Sequence, residues 1–234
     1  MGRMAVTDEA IEKIKAMIVS GQLGPGDRLP AEKELSESLG LSRNSLREAV
    51  KALEVIRVLD VRRGDGTYVT NLDPRHLLEA ISFFVSVDDG ASLLEIFQVR
   101  RILEAQATAM AATRATDDDV ARLSAELDAV APDTDVDSLV DHDTRFHGAI
   151  VALAGNRYLA GLVDGLTTYT IRARVWRGLT EAGAVERTIR EHRGIVDAIA
   201  LGDAELARSL AVAHVAGVEE WIRESGGTRP AAAP

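Results

Sequence analysis

Two short helical segments joined by a tight turn constrain most strongly what this chain can fold into. The first covers residues 31–39, after Pro30, and Gly40 ends it. Ser42 stands where it can cap the second, residues 43–55, in which apolar residues recur at helical spacing. A further helix is predicted over residues 5–20. This arrangement is the layout of a helix-turn-helix.

A predicted β-hairpin follows the helix-turn-helix. Residues 58–61 and 67–70 are β-prone, and the basic turn Arg62-Arg63-Gly64-Asp65-Gly66 separates them. The segment Asn71-Leu72-Asp73-Pro74 then marks a boundary, because the residue before a proline is biased away from helix. We therefore predict that residues 1–72 form a winged helix-turn-helix domain.

The remainder of the chain predicts helices only. They are expected near residues 75–86, 91–113, 117–130, 135–154, 157–177, 183–200 and 203–224. Because no β-rich run follows Thr70, residues 73–226 are predicted to form an all-helical bundle of six or seven helices. The fold class is therefore mainly α. Residues 227–234, which are rich in Pro, Ala and Gly, are expected to be disordered.

The distribution of charge and the missing cysteines narrow the function. Residues 1–72 contain equal numbers of acidic and basic residues, so residues 73–234 carry the whole net charge of −10. All four lysines lie in the first part, which indicates a DNA-facing module joined to an acidic one. Without cysteine, disulfides and thiolate metal sites are excluded. No apolar run approaches the roughly 18 residues of a membrane span, and no signal region begins the chain, so we expect a cytoplasmic protein without a membrane partner.

The helix over residues 43–55 is the predicted DNA-reading element. Its polar N-terminal end carries Arg43, Asn44, Ser45 and Arg47, opposite the apolar face. Arginine can bind guanine and asparagine can bind adenine in the major groove. The alternative is that these are ordinary solvated charges. One small reading helix supplies little specificity, so a homodimer on a two-fold operator is expected.

Contacts outside the reading helix are predicted for three basic residues. Lys33 lies in the preceding helix, and Arg62 and Arg63 lie in the hairpin turn. These side chains can reach phosphates or the minor groove.

Three histidines in the second domain lie within apolar helical faces: His147, His192 and His214. Asp143 precedes His147 by one helical turn, so both side chains share a face. One carboxylate and three imidazoles suit Zn²⁺, with Ni²⁺ or Mn²⁺ as alternatives, and leave positions open for a ligand. For any single histidine, a hydrogen-bonded place in the core is the competing interpretation. His76 and His142 are expected to be exposed.

Arg100 lies on the apolar side of its helix and needs an anionic partner. Glu104, one turn later, is one candidate, and the carboxylate of a bound effector is the other. Asn156, Arg172 and Arg174 are weaker candidates for an effector pocket, since capping asparagines and solvated arginines are common.

Residues 11–70 resemble the N-terminal domain of the GntR family of regulators. The matching stretches are Ile18-Val19-Ser20-Gly21-Gln22-Leu23, Pro25-Gly26-Asp27-Arg28-Leu29-Pro30-Ala31-Glu32-Lys33-Glu34-Leu35, Leu41-Ser42-Arg43-Asn44-Ser45-Leu46-Arg47-Glu48-Ala49 and Gly64-Asp65-Gly66-Thr67-Tyr68-Val69. The resemblance implies that Lys33, Arg43 and Arg47 contact operator DNA and that Gly64 lies at the wing tip near the minor groove. Arg57 stands where the family usually has glycine, so the chain is expected to enter the wing differently, and Arg57 could add a phosphate contact.

Residues 75–222 look like the FCD ligand-binding domain of the FadR subfamily. The resemblance rests on Val99-Arg100-Arg101-Ile102-Leu103-Glu104, Asp143-Thr144-Arg145-Phe146-His147, Gly155-Asn156, Glu191-His192 and His214. It implies that Asp143 and the three histidines hold a divalent metal, to which a small organic-acid effector can bind. It also favours an effector as the partner of Arg100.

Two other classes of function compete with an allosteric regulator. A metalloenzyme could use the same four ligands. It would need a general base, and no carboxylate is placed convincingly beside the cluster, because Glu191 is turned away from His192 on its helix. A purely structural helical oligomer does not explain how charge is divided between the two domains. We therefore expect a DNA-binding regulator that is not an enzyme.

Overall fold

The computed structural model describes residues 6–73, 91–131, 133–181 and 183–225. The chain forms two compact units that divide within residues 74–90. The predicted helix over 75–86, His76 and the tail 227–234 lie outside the described residues, and the boundary between residues 72 and 73 stays a prediction.

The first unit begins with three helices: α1 (Val6–Val19), α2 (Glu32–Leu39) and α3 (Arg43–Val55). The predicted bounds of α3 are confirmed, and its N-terminus is capped as expected, because the Ser42 side chain accepts a hydrogen bond from the Ser45 amide at 3.1 Å. One apolar cluster, which includes Ile14, Leu35 and Leu46, joins the three helices to the hairpin.

The hairpin consists of β1 (Leu59–Arg62) and β2 (Gly66–Val69), which are antiparallel with Leu59 opposite Val69. Both strands lie one residue nearer the turn than predicted, because Gly64 takes a left-handed φ of 77° and closes a shorter turn. The loop before α2 lies along β2, since the Gly26 amide donates to the Val69 carbonyl and the Leu29 amide to the Thr67 carbonyl. The loop before α2 thus extends the wing on the side of β2.

Arg57 connects α3 to the wing in a left-handed conformation, with φ 59°. The amides of Arg57 and Val58 donate to the carbonyls of Glu54 and Leu53, which is the pattern of a Schellman helix end. The expectation that arginine changes the wing entry is therefore wrong. The helix end that a glycine would form is kept, and the backbone of Arg57 takes a conformation that glycine adopts at lower cost.

The second unit contains all six helices predicted between residues 91 and 224. They are α4 (Ala91–Ala112), α5 (Asp117–Asp128), α6 (Val136–Leu153), α7 (Arg157–Thr180), α8 (Ala184–Ala200) and α9 (Ala204–Glu224). Thr116 and Asp119 cap α5 reciprocally, and Asp203 caps α9. Helices α4 and α9 pack along each other, and α6 and α8 pack against α4. None of the described helices is long and apolar enough to cross a membrane.

Candidate metal centre and nucleic-acid interface

Helices α6, α8 and α9 bring the four predicted ligands together inside the second unit. Asp143 and His147 come from α6, His192 from α8 and His214 from α9, and all four side chains are buried. Their ligand atoms lie within 4.8 Å of one another. The Nε2 atom of His214 lies 3.2 Å from that of His147 and 3.3 Å from that of His192. Asp143 Oδ1 lies 3.4 Å from His192 Nε2 and 3.6 Å from His147 Nε2.

These separations fit a single divalent ion. With metal–nitrogen bonds of about 2.0–2.1 Å, neighbouring ligand atoms of a tetrahedral site lie about 3.3–3.4 Å apart. The three Nε2 atoms also face one another beside a carboxylate oxygen in a buried space. Acceptor lone pairs that converge in this way repel one another unless a cation or a proton lies between them. The residues present therefore fit a metal.

Two carboxylates hold the outer nitrogens of these histidines. Glu191 Oε2 lies 2.7 Å from His214 Nδ1, and Glu104 Oε2 lies 3.0 Å from His147 Nδ1. The expectation that no carboxylate lies beside the cluster is wrong, because Glu191 points away from His192 on its own helix but toward α9. Partners of this kind orient imidazoles and raise their basicity toward a metal.

The predicted exposure of His142 is also wrong. His142 is 1% exposed, and its Nε2 atom lies 3.4 Å from His192 Nδ1. Its ring stacks on that of Phe146, one helical turn later, at 5.9 Å between centroids. The spacing from Leu139 and Phe146, both buried, is the signal that could have placed His142 in the core.

Electrostatics set different protonation states within the cluster. Burial lowers the pKa of His192 to about 3, so this imidazole is neutral, the form that binds metals. Burial acts on His147 in the same direction, but the carboxylates of Glu104 and Asp143 outweigh it and raise the pKa of His147 to about 9. Burial disfavours ionisation of Asp143, yet Arg174 and His147 hold the pKa of this carboxyl well below its usual range.

A cavity of about 40 Å³ adjoins the cluster. Arg100, Arg174 and Arg177 line it together with apolar side chains such as Phe97 and Val215. Such a space accommodates a few water molecules. Arginines that line a cavity next to a candidate cation site are suited to an anionic ligand.

The arginines of the cavity have carboxylate partners. Arg100 donates to Glu104 at 2.5 Å and also to Thr170, so one of its two predicted partners lies in contact with it. Arg174 donates to Asp143 through Nη1, and Arg177 donates to Glu181 at 2.5 Å. Arg177 was not among the predicted residues, although it follows Arg174 by three positions on α7 and so shares its face.

Two predicted effector residues lie elsewhere. Asn156 caps α7, where its side chain accepts from the amides of Tyr158 and Leu159 at 3.1 Å, and Arg172 is exposed. Neither residue lines the cavity.

The predicted DNA-reading residues lie at the surface of the first unit. Arg43, Asn44 and Lys33 are exposed, and Ser45 is half-buried with its hydroxyl 2.8 Å from that of Ser42. Arg47 donates to Glu32 at 2.9 Å, but 67% of its side chain remains exposed. Helix α3 therefore has a polar face that no other described residue buries.

The wing tip is exposed as well. Arg62 pairs with Asp60 at 2.9 Å and lies over the ring of Tyr68 at 4.2 Å. Arg63 and Gly64 follow it in the turn, and both are exposed. A reading helix beside an exposed basic hairpin is the surface that winged helix-turn-helix proteins present to DNA.

A winged helix-turn-helix joined to an all-helical unit with a buried candidate metal site is typical of a DNA-binding regulator. Family models agree: that of the bacterial regulatory proteins of the gntR family matches residues 6–69, and that of the FCD domain matches residues 95–217. The chain belongs to the GntR family of transcriptional regulators, and its FCD domain fits the FadR-like subfamily.

Relatives extend over nearly the whole chain. The HTH-type transcriptional regulator LutR of Bacillus subtilis is 29% identical over 88% of this chain and 96% of its own length. The galactonate operon transcriptional repressor of Escherichia coli is 27% identical over 93% of this chain and 97% of its own length. The structure of a Streptococcus agalactiae GntR protein covers 92% of this chain and 99% of its own, with a TM-score of 0.66 and 21% identity, which supports the fold.

Proposed function

We propose that this regulator binds a palindromic operator as a homodimer and that a small hydroxycarboxylate, bound beside a divalent metal in the FCD domain, changes its operator affinity. The observation that carries the proposal is the convergence of Asp143, His147, His192 and His214 next to a cavity lined by arginines. A regulator of this kind acts in the cytoplasm.

We propose Zn²⁺ as the metal, because the ligand atoms are spaced as in a tetrahedral site. Ni²⁺ and Mn²⁺ accept the same oxygen and nitrogen donors and are the alternatives. When bound, the ion would supply a Lewis acid, and expansion beyond the four protein ligands would admit oxygen ligands. The chain's own residues orient the imidazoles that would bind the ion. Glu104 and Glu191 hold the outer nitrogens of His147 and His214.

Two observations and one chemical argument support a hydroxycarboxylate as the effector. Arg100, Arg174 and Arg177 line the cavity and can clamp a carboxylate. A carboxylate with a neighbouring hydroxyl can also occupy two positions on a metal. The name of the galactonate operon repressor, a relative, points to an acid of this class. Asn156 and Arg172 are not part of this proposal, since neither lines the cavity.

The cavity must enlarge to admit such an acid, because its volume of about 40 Å³ suits only a few waters. Arg174 and Arg177 lie on α7, so their displacement by a ligand would shift this helix relative to α6. A change of this kind can alter the spacing of two reading helices in a dimer, and couplings of about 1–3 kcal/mol are typical.

DNA contacts are proposed for the exposed polar residues of the first unit. On α3 they are Arg43, Asn44, Ser45 and Arg47, with Lys33 on α2, and in the wing they are Arg62, Arg63 and Gly64. A palindromic site would present each half to one copy of α3.

A metalloenzyme is the second candidate, and one observation weighs against it. The carboxylates beside the cluster, Glu104 and Glu191, are occupied by the outer nitrogens of His147 and His214. In these contacts the two carboxylates orient the imidazoles, which is a positioning role and not that of a general base.

Operator binding tests the proposal directly. Fluorescence anisotropy with the region upstream of the protein's own gene should show salt-sensitive binding, and galactonate or lactate should change the affinity at least several-fold. Propionate, which lacks the hydroxyl, is the matched control and should have a smaller effect. Chelated, metal-free protein should lose the response to the acid. No specific complex with this DNA, or the same response without metal, would refute the proposal.

A further inference from the structure

His142 occupies a buried place that the four candidate ligands do not require. It precedes Asp143 on α6, and its Nε2 atom lies 3.4 Å from the Nδ1 atom of His192. On its other side, His142 Nδ1 lies 3.4 Å from Glu126 Oε1 of α5. Glu126 in turn accepts from Arg145 at 2.8 Å. A row of polar groups thus leads from His192 through His142 and Glu126 to the surface of the unit.

An imidazole at this place is not explained by packing. His142 stacks on Phe146 within the core, and its Nδ1 atom reaches Glu126 Oε1 only at 3.4 Å, which is longer than an ordinary hydrogen bond. An apolar side chain of similar size would avoid the cost of burying two polar nitrogens. Because burying an imidazole whose nitrogens make only long polar contacts is costly, packing does not explain the histidine at this position.

Each of the other candidate ligands has its own outer partner. Glu104 lies against His147, Glu191 against His214, and Arg174 donates to the carboxylate of Asp143. At the outer nitrogen of His192, the partner is His142. We infer that His142 is a positioning residue that holds His192 with its Nε2 atom directed at the metal. This inference rests on the metal site of the proposed function.

The proton positions that this role requires are consistent along the row of polar groups. If Glu126 accepts the proton of His142 Nδ1, the Nε2 atom of His142 is an acceptor for the Nδ1 proton of His192. His192 Nε2 then carries a lone pair and is free to bind a cation. The partner is a neutral ring instead of a carboxylate, so His142 fixes the orientation of His192 without adding a negative charge to the core.

Two substitutions of His142 test the inference through metal affinity. His142→Phe keeps the ring packing and removes the acceptor, so the affinity for Zn²⁺ in competition with a chromogenic chelator should fall roughly 10–100-fold. His142→Gln places an amide oxygen near the position of Nε2 and should stay within a few-fold of the unsubstituted protein. Thermal melts of the metal-free proteins check that both variants fold.

A substitution of Glu126, at the outer end of the row of polar groups, avoids any change in the core. Glu126→Ala removes the partner of His142 Nδ1 from a partly exposed position, and it should weaken Zn²⁺ binding by a few-fold. Asp118→Ala, which removes an exposed carboxylate from the same helix, is the control and should leave the affinity unchanged.

The outcomes separate this inference from the metal site itself. Equal affinities for the unsubstituted protein and His142→Phe would overturn the positioning role while the metal site stands. A loss in His142→Gln as large as that in His142→Phe would also overturn it, because packing alone would then explain the effect. An unsubstituted protein that binds no Zn²⁺, Ni²⁺ or Mn²⁺ would refute the metal site and the inference together.

Discussion

The two units of this chain differ in whether their charged and polar side chains are exposed or buried. Among the described residues of the first unit, Ser36 is the one buried polar side chain. In the second unit, buried polar groups include Arg100, Glu104, Asp143 and the candidate histidine ligands. Reading DNA needs charges at a surface, whereas sensing a small ion or acid needs them enclosed, where the dielectric constant is low.

Ion pairs in the two units differ accordingly. The pair of Arg47 and Glu32 is exposed, so water screens it and a DNA phosphate can replace the carboxylate. The pair of Arg174 and Asp143 is buried, so each partner depends on the other. Substitutions in the two units should therefore have different signatures, which gives a way to test the comparison.

The largest effect is expected when the buried pair is broken. Asp143→Ala leaves the Arg174 guanidinium buried without its carboxylate, and it should lower the free energy of unfolding of the metal-free FCD domain by about 3–5 kcal/mol. Chemical denaturation measures this, and metal analysis should find no bound ion. The double variant Asp143→Ala with Arg174→Met should regain most of the stability but not the metal. A loss below about 1 kcal/mol in the single variant would contradict the burial argument.

In the first unit, the expected effect is on DNA and not on stability. Arg47→Ala should weaken operator binding roughly 10–100-fold if the side chain contacts a base, since no described residue buries it. Anisotropy titration measures the affinity, and the melting temperature should not change. Arg190→Ala, an exposed arginine of the FCD domain, is the control. Unchanged affinity in Arg47→Ala would remove this residue from the interface.

Metal binding should depend on pH through His147. Its raised pKa of about 9 means that it is protonated in the metal-free protein at pH 7, so an entering ion must displace that proton. His147 should therefore contribute about one released proton per ion at neutral pH, and the affinity should fall as the pH falls below 9. Calorimetry in two buffers with different ionisation enthalpies measures the release. Binding without proton release would contradict the pairing with Glu104 and Asp143.

The smallest effect is expected at the end of α3. Arg57→Gly relieves a left-handed backbone conformation and should stabilise the first unit by about 1 kcal/mol. Ile56→Gly, at a residue with an ordinary φ of −89°, is the control and should destabilise it. Thermal denaturation of both variants compares them. A destabilised Arg57→Gly would mean that the contacts of the arginine side chain outweigh the backbone strain.

Much of the fold follows from local signals in the sequence. Ser42 caps helix α3 where expected, and this helix has the predicted bounds. The strands of the wing lie one residue from their predicted positions, because turn geometry and not β-propensity sets where pairing begins. The Schellman end at Arg57 could not be predicted from propensity, since tertiary packing of the wing outweighs the preference for glycine.

At the candidate site, local signals predict contacts within one helix but not contacts between helices. Asp143 and His147 are one turn apart on one helix, so their shared face follows from helical geometry. The approach of Glu191 to His214 and of His142 to His192 joins different helices. Such contacts depend on how helices are rotated and spaced when they pack, which periodicity does not specify.

The amino-acid sequence alone determined the helix-turn-helix, the wing, the helical character of residues 91–224 and the four side chains that can bind a metal, because caps and periodicity act within a few residues of chain. Tertiary structure decided which carboxylate or imidazole stands behind each of those ligands and which arginines face the cavity. Those choices depend on distances between helices that are remote in sequence, and only the packed core sets them.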